Sequence, residues 1–171
     1  MKRKNEAHEI VTESITQALL ILMKKKRLCD INVSELCQKA GVSRVSFYRN
    51  FNSLDDILTK YLKKCTDDWW EEFSKKSEEE FHETFWQELL NQYRKNTELI
   101  HLLTENNVTY ILKDHIFSCC GPKDTQDEKT AYICAAAAGA IYGFVDEWIK
   151  RGMSEKIPNL DLRQMITLAD V

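Results

Sequence analysis

Apolar residues recur three and four positions apart along most of the 171-residue chain, which is the spacing of helices that each bury one face. No stretch alternates β-branched and polar residues as a half-buried strand would. From Ser53 to Cys120 the chain runs for 68 residues without Gly or Pro, so no strong breaker interrupts helices there. The pattern predicts an all-α fold. Its first helix is predicted over residues 5–26, with an apolar face made of Ala7, Val11, Ile15, Ala18, Leu19 and Leu22.

Helix-start and helix-stop residues divide the next segment into two short helices. Asn32 is placed to cap a helix over residues 33–40, and Gly41 can end it because glycine enters the left-handed conformation without strain. Ser43 is a second N-cap, for a helix that runs from residue 44 to 48 or 49. Two short helices joined by so tight a turn cannot lie antiparallel. The spacing therefore predicts a helix-turn-helix.

Longer helices are predicted after this motif. Ser53, with Asp56 three residues later, marks the start of a long helix. The strongest break further on is the Gly121-Pro122 dipeptide. The other predicted helices cover residues 78–95, 97–105, 108–120, 126–151 and 159–171.

Charge is distributed unevenly along the chain. The total is 24 Lys and Arg against 27 Asp and Glu, a net charge of −3. Residues 1–60 carry 11 basic and 7 acidic side chains, a net of +4, whereas residues 61–171 carry 13 and 20, a net of −7. The basic side chains of the first part that could reach phosphates include those of Lys2, Arg3, Lys4, Lys39 and Lys60. This division favours contact with a phosphate backbone by the first part of the chain only.

The helix-turn-helix segment also carries a recognisable motif. Residues 32–51 read NVSELCQKAGVSRVSFYRNF, and residues 53–58 read SLDDIL. Together they resemble the N-terminal DNA-binding domain of TetR-family transcriptional regulators. Val45 and Leu54 depart from the motif, since the family often has Gly and Lys at these positions. The resemblance implies three DNA-binding helices followed by a helical part that dimerises and senses a ligand.

The resemblance further implies a division of the chain and a function. Residues 1–52 would form the DNA-binding domain, and residues 53–171 would form the helical dimerisation and effector domain, with the helix from residue 53 connecting the two. The implied function is that of a ligand-responsive repressor that binds a pseudo-palindromic operator as a homodimer. The alternative is a similar regulator whose C-terminal domain binds a protein partner instead of a small-molecule effector.

The second short helix has side chains suited to reading double-stranded DNA. Arg44 can donate two hydrogen bonds to guanine, Val45 can contact a thymine methyl group, and Ser46 can bond to either kind of base edge. Polar side chains further along the helix can fix the register on phosphates. The alternative is that these residues form a solvated surface on a small helical bundle. The candidate DNA-binding residues are Asn32, Ser43, Arg44, Val45, Ser46, Tyr48, Arg49 and Asn50.

Aromatic residues are dense in the middle of the chain and allow two interpretations. They can line an effector pocket, or they can fill an ordinary helical core. The candidate pocket residues are Trp69, Phe73, Phe85, Trp86, Tyr93, Tyr110 and Phe117. His115, Cys119 and Cys120 share one side of a predicted helix, but adjacent cysteines rarely both bind one ion, so no metal site is expected.

A late helix has a face with almost no side-chain bulk, which would let another helix pack closely against it. If this face pairs with its symmetry mate, it forms a dimer interface. The alternative is that the same face is buried within one subunit. The candidate interface residues are Ala135, Ala138, Gly139, Tyr142 and Gly143.

Other classes of function lack a signal in the sequence. Five scattered Gly residues form no phosphate loop, and no Ser or Cys stands in a nucleophile motif, so no enzyme activity, catalytic residue, metal or cofactor is expected. No apolar stretch approaches the roughly 20 residues of a membrane span. No signal segment follows the basic start. The six Cys are therefore expected to be reduced thiols in a cytoplasmic protein.

Overall fold

The computed structural model describes residues 2–153, with side chains from residue 8 onward apart from residue 82. The helix predicted from residue 159 and the side chains of Lys2, Arg3 and Lys4 lie outside the described residues. Within the described range the chain forms helices and turns without strands, which confirms the all-α prediction. The helices are α1 Lys2–Met23, α2 Val33–Ala40, α3 Arg44–Asn50, α4 Leu54–Phe73, α5 Glu78–Lys95, α6 Thr97–Glu105, α7 Tyr110–Cys120 and α8 Glu128–Lys150.

The α2–turn–α3 segment forms where its capping residues direct it. Asn32 Oδ1 accepts a hydrogen bond from the Glu35 amide at 2.9 Å and so begins α2, and Gly41, with φ +68°, ends it. Ser43 Oγ accepts from the Ser46 amide at 3.1 Å and begins α3. These caps confirm the predicted helix-turn-helix segment. The Glu35 carboxylate contacts Lys26.

Local caps also set the starts of three long helices. Ser53 Oγ accepts from the Asp56 amide at 3.0 Å, and the Asp56 carboxylate accepts from the Asn52 amide at 2.9 Å, so both groups hold the start of α4. Ser77 forms a complete capping box at the start of α5. Asp127 caps α8. The bounds predicted for α2, α5 and α6 are confirmed to the residue.

Predicted and observed boundaries differ where the chain makes turns that helical spacing does not reveal. The first helix was predicted to reach residue 26 but ends at Met23, because the chain then turns to bury Leu28. The helix predicted from residue 108 begins at Tyr110. Asn107 adopts φ +57°, and the Val108 amide donates back to the Leu103 carbonyl at 2.9 Å. This is the hydrogen-bond pattern that terminates a helix.

One continuous cluster of buried apolar side chains extends from α1 to α8. Phe47 and Phe51 are 0% and 2% exposed and belong to this cluster together with buried side chains of α1 and α4. Helix α4 continues from this N-terminal part into the rest of the core, where α7 packs against both α4 and α8. The division of the chain at residue 52 remains a prediction.

Three polar contacts join the N-terminal part to α6 and α7. Asn106 is buried, and its Oδ1 accepts from the Leu28 amide at 2.7 Å. Tyr110 donates its hydroxyl to Asp55 at 2.5 Å, and this hydrogen bond raises the pKa of Tyr110 to about 12. Lys24 pairs with Glu98 on the surface. Helix α6 and the start of α7 are therefore held against the segment that precedes α2 and against the first turn of α4.

Candidate nucleic-acid interface and aromatic cavity

Helix α3 packs one face against the core and exposes the opposite face to solvent. Phe47 is fully buried, while its neighbours Val45 and Tyr48 are 67% and 55% exposed. Arg44 and Arg49 are also exposed. A helix of seven residues thus presents two guanidinium groups, a branched apolar side chain and a phenol to solvent, on a backbone that is anchored by Phe47.

The other predicted DNA-binding residues shape the ends of the helices. Asn32 and Ser43 are exposed but use their side-chain oxygens as N-caps. Ser46 is half-buried and accepts a hydrogen bond from the Ser43 hydroxyl at 3.1 Å. Asn50 is half-buried and donates from Nδ2 to the Ser46 carbonyl at 2.6 Å. The structure therefore separates residues that fix α3 from residues that extend away from it.

Lys60 was predicted to add charge at the rim of this surface, but its ammonium group is engaged within the protein. Nζ donates to the Asn50 carbonyl at 2.8 Å and to the Asp56 carboxylate at 2.9 Å. It also lies 5.1 Å from the centre of the Phe51 ring. Lys60 thus closes the end of α3 against α4, whereas Lys39 is exposed.

A second candidate site is a cavity of about 270 Å³ where α4, α5, α7 and α8 meet. Three of the predicted pocket residues, Trp69, Phe85 and Tyr93, line it. Burial raises the pKa of Tyr93. The full lining consists of Thr66, Asp67, Trp69, Trp70, Phe85, Leu89, Tyr93, His115, Ile116, Cys119, Cys120 and Ile141. The cavity is thus largely apolar, with a polar group of side chains on α4 and α7.

The other four predicted pocket residues lie outside this lining. Phe73 is buried and stacks on Trp69 with ring centres 5.1 Å apart, and Trp86 is buried against Phe144. Tyr110 is held by Asp55 near the start of α4. Phe117 is half-buried beside Lys113. These four residues are therefore not part of this cavity, since aromatic residues at helical spacing serve the core as readily as a cavity. Which of the seven contact an effector stays a prediction.

His115 is the central polar group of the cavity and is only 3% exposed. Its Nε2 lies 2.9 Å from Thr66 Oγ1, and the Thr66 hydroxyl donates to main-chain carbonyl oxygens of Leu62 and Lys63 at 3.1 and 3.0 Å. That hydroxyl has one hydrogen, so it donates to one acceptor at a time, and the tautomer of His115 sets whether Nε2 donates to it or accepts from it. Burial lowers the pKa of His115, so the ring is neutral near pH 7.

Cys119 and Cys120 lie beside His115 in this cavity. Cys119 Sγ is 3.8 Å from His115 Nε2, and Cys119 is exposed. Cys120 is half-buried, and burial raises the pKa of its thiol. Among the side chains that the structure describes, no three of His, Cys, Asp or Glu are grouped as ligands of one metal ion. The sequence pattern contained His115 and Cys119, but it did not indicate Thr66, Leu89, Ile116 or Ile141 as their neighbours.

The predicted dimer face on α8 divides into inward and outward residues. Ala138 is fully buried against the core of its own subunit, so its assignment to the interface is corrected. Ala135 and Tyr142 are half-buried, whereas Gly139 and Gly143 are exposed with open space where a Cβ would be. Tyr132 and Ile133 are 70% and 59% exposed. The outer face of α8 therefore has small residues near two large apolar ones.

The chain is similar in fold outline to a solved structure, but not in sequence to a known family. No family profile matches the chain, and no curated protein sequence is similar to it. A solved structure described as the dihydroxyacetone kinase operon activator DhaS is similar with a TM-score of 0.46 and 20% sequence identity, over 83% of this chain and 85% of that one. Among the helices in residues 2–153, none is both long and apolar enough to cross a bilayer.

Proposed function

We propose that this protein is a DNA-binding transcriptional regulator that reads double-stranded DNA with α3. The observation that carries the proposal is the capped α2–turn–α3 segment, in which buried Phe47 anchors a short helix with an exposed outer face. An α-helix fits the major groove of DNA. A short helix fixed at both ends and exposed along one side has the shape that this docking requires.

Each exposed side chain of α3 has a role in this proposal. Arg44, in the first turn, donates to guanine, and Val45 beside it contacts a thymine methyl group. Tyr48 and Arg49 contact phosphates and fix the register. In this proposal the N-caps Asn32 and Ser43, and Asn50 through its hydrogen bond to the Ser46 carbonyl, position these side chains without touching bases.

The regulator would act as a homodimer on a pseudo-palindromic operator. A single helix-turn-helix makes few phosphate contacts, and a second copy raises the affinity through linked binding. The exposed outer face of α8, with Gly139, Gly143, Tyr132 and Ile133, supports pairing with a second copy, since small residues let helices pack closely. The two copies of α3 would then lie about 34 Å apart, or a multiple of this distance.

The cavity supports control by a small molecule over control by a docked protein. Its volume of about 270 Å³ and its aromatic lining suit a small apolar effector. In the proposed mechanism the effector favours a conformation in which the two α3 helices no longer match the operator spacing. Release from the operator then ends repression.

The proposal is tested by selecting bound fragments from genomic DNA and measuring affinity across a salt series. Binding should weaken steeply with salt, because phosphate contacts release counterions. Arg44→Ala should reduce affinity for the selected site by about tenfold, the loss expected for one bidentate base contact. Lys95→Ala is the matched control, since it removes one exposed positive charge at the far end of α5. Fragments that are not enriched, or equal losses in both variants, would refute the proposal.

A further inference from the structure

Cys119 differs from the other cysteines of the chain in its position at the mouth of the aromatic cavity. Its thiol is exposed to solvent and also lines the cavity beside His115. We propose that Cys119 is a covalent modification site, at which a small apolar α,β-unsaturated ketone held in the cavity is captured by the thiol. This proposal does not depend on DNA binding.

The lining of the cavity selects the class of ligand. Trp69, Phe85 and Tyr93 offer aromatic surfaces, and Leu89, Ile116 and Ile141 add aliphatic surface. An apolar ring is favoured in such a space because it leaves water. Cys119 lies at the polar side of the same cavity, so a bound ligand with a conjugated carbonyl would be held close to the thiol. Holding two reactants together raises their effective concentration and thus the rate.

His115 places a ring nitrogen beside the sulfur. Its Nε2 lies 2.9 Å from Thr66 Oγ1 and 3.8 Å from Cys119 Sγ. In the tautomer that carries the proton on Nε2, a hydrogen bond to the sulfur stabilises negative charge there as the thiol loses its proton. Because the ring is neutral and buried, it can serve as a donor without introducing an unpaired charge into the apolar lining.

The proposed step is an addition in which no group leaves. The thiol proton passes to solvent, and the sulfur electron pair forms a bond to the β-carbon of the ketone. The π electrons of the carbon–carbon double bond move toward the carbonyl and give an enolate. A proton from solvent then adds to the α-carbon, so the product is a saturated ketone linked to Sγ. The step requires no oxidant or reductant.

The remaining cysteines provide internal comparisons. Cys29 is exposed on the turn before α2, and the recess beside it mixes polar with apolar residues and does not belong to the aromatic cavity. The recess is lined by Arg27, Asp55, Asn106 and Asn107 together with Leu28, Ile31, Leu54, Val108 and Tyr110. Cys37 is buried, and burial raises the pKa of the Cys37 thiol. Cys120 lines the cavity but is half-buried, and Cys65 and Cys134 are half-buried as well. Exposure and a position on the largely apolar cavity therefore coincide at Cys119.

The experiment measures the modification rate of each cysteine with phenyl vinyl ketone and, separately, with acrylamide, by peptide mass spectrometry of the full-length protein. The ketone has an aromatic ring, and acrylamide is a small polar acceptor of the same reaction type. The ratio of the two rates should be at least about tenfold larger at Cys119 than at Cys29, as expected when the cavity holds the ring. Cys119→Ser should remove the first adduct formed, while Cys29→Ser should retain it.

A competition measurement separates cavity binding from simple exposure. Propiophenone, the saturated analogue of phenyl vinyl ketone, should slow modification of Cys119 and leave Cys29 unaffected. Because it uses the unmodified sequence, this measurement does not depend on how well a variant folds. Equal rate ratios at Cys119 and Cys29, or no protection by propiophenone, would overturn the proposal. Loss of operator binding alone would not affect either result.

Discussion

The two candidate sites of this protein are constructed in opposite ways. The hydrogen bonds that shape the α2–α3 surface join residues only three to ten positions apart, and the side chains proposed to contact DNA extend into solvent. The cavity is assembled from four helices, and its central hydrogen bond joins Thr66 to His115, 49 positions later. The first site depends on helix ends, whereas the second depends on the packing of the whole C-terminal part.

This difference has consequences for both regulation and stability. A surface fixed by local hydrogen bonds can move as a unit when the helices beneath it shift, because its internal contacts are retained. A cavity between helices responds directly to any change in their separation. An effector in the cavity could therefore reposition α3 without changing its shape, provided that the two regions are coupled through shared buried side chains.

The largest predicted effect tests whether α3 is held only by local hydrogen bonds or also by the buried side chain of Phe47. Phe47→Ala removes the fully buried anchor of α3, which is in the same apolar cluster as the cores of α1 and α4. The free energy of unfolding should fall by about 3–5 kcal/mol, measured by urea denaturation with circular dichroism. Tyr48→Ala, at a 55% exposed neighbour, should cost less than about 1 kcal/mol. If both variants lost a similarly small amount of unfolding free energy, α3 would be anchored by its caps alone.

The next prediction concerns the buried hydrogen bond that links the end of α6 to the segment before α2. Asn106 is buried, accepts from the Leu28 amide, and donates to the Leu102 carbonyl at 2.8 Å. Asn106→Ala leaves the buried Leu28 amide without its acceptor, which should cost about 1–3 kcal/mol in thermal or urea unfolding. Asn52→Ala, at an exposed position, is the control and should change stability by less than about 0.5 kcal/mol.

The same contrast explains how much could be predicted from the sequence. Asn32, Gly41 and Ser43 act within their own turns, so their residue types alone indicated where α2 and α3 begin and end. The cavity could be predicted only in part. Spacing shows that two residues share a helix face, but not which distant helix covers that face.

The errors in the sequence analysis follow from this limit. Ala138 belongs to a face of small residues, yet it is turned toward its own core and not toward solvent. Tyr110 looked equivalent to Tyr93 by composition, but it binds Asp55 near the start of α4. Periodicity alone placed the start of α7 at residue 108, but the turn at Asn107, with its positive φ, moves that start to Tyr110.

A pH prediction probes the packing of the cavity. Burial lowers the pKa of His115, so in acid the unfolded chain binds a proton that the folded chain excludes. The free energy of unfolding should therefore fall as the pH drops below about 6.5, by at most about 1.4 kcal/mol per pH unit. His115→Gln should reduce the difference in stability between pH 7.5 and pH 5.5. Ser118→Ala, on the same helix, should retain the wild-type difference. An unchanged difference in the His115 variant would mean that the histidine is not protected by the cavity.

The smallest predicted effect separates the stability of α3 from its proposed role. Ser43→Ala removes the acceptor for the Ser46 amide at the start of α3, and Ser53→Ala removes the equivalent acceptor for the Asp56 amide at the start of α4. Each should cost about 1 kcal/mol of stability, the usual effect of an N-cap. Only the first loosens the turn that carries Arg44, so only Ser43→Ala should weaken binding to the selected DNA beyond its effect on stability. Unfolding curves and binding titrations of the two variants make the comparison. Equal losses of DNA affinity would mean that the first turn of α3 is not the surface that reads the operator, even if the protein binds DNA.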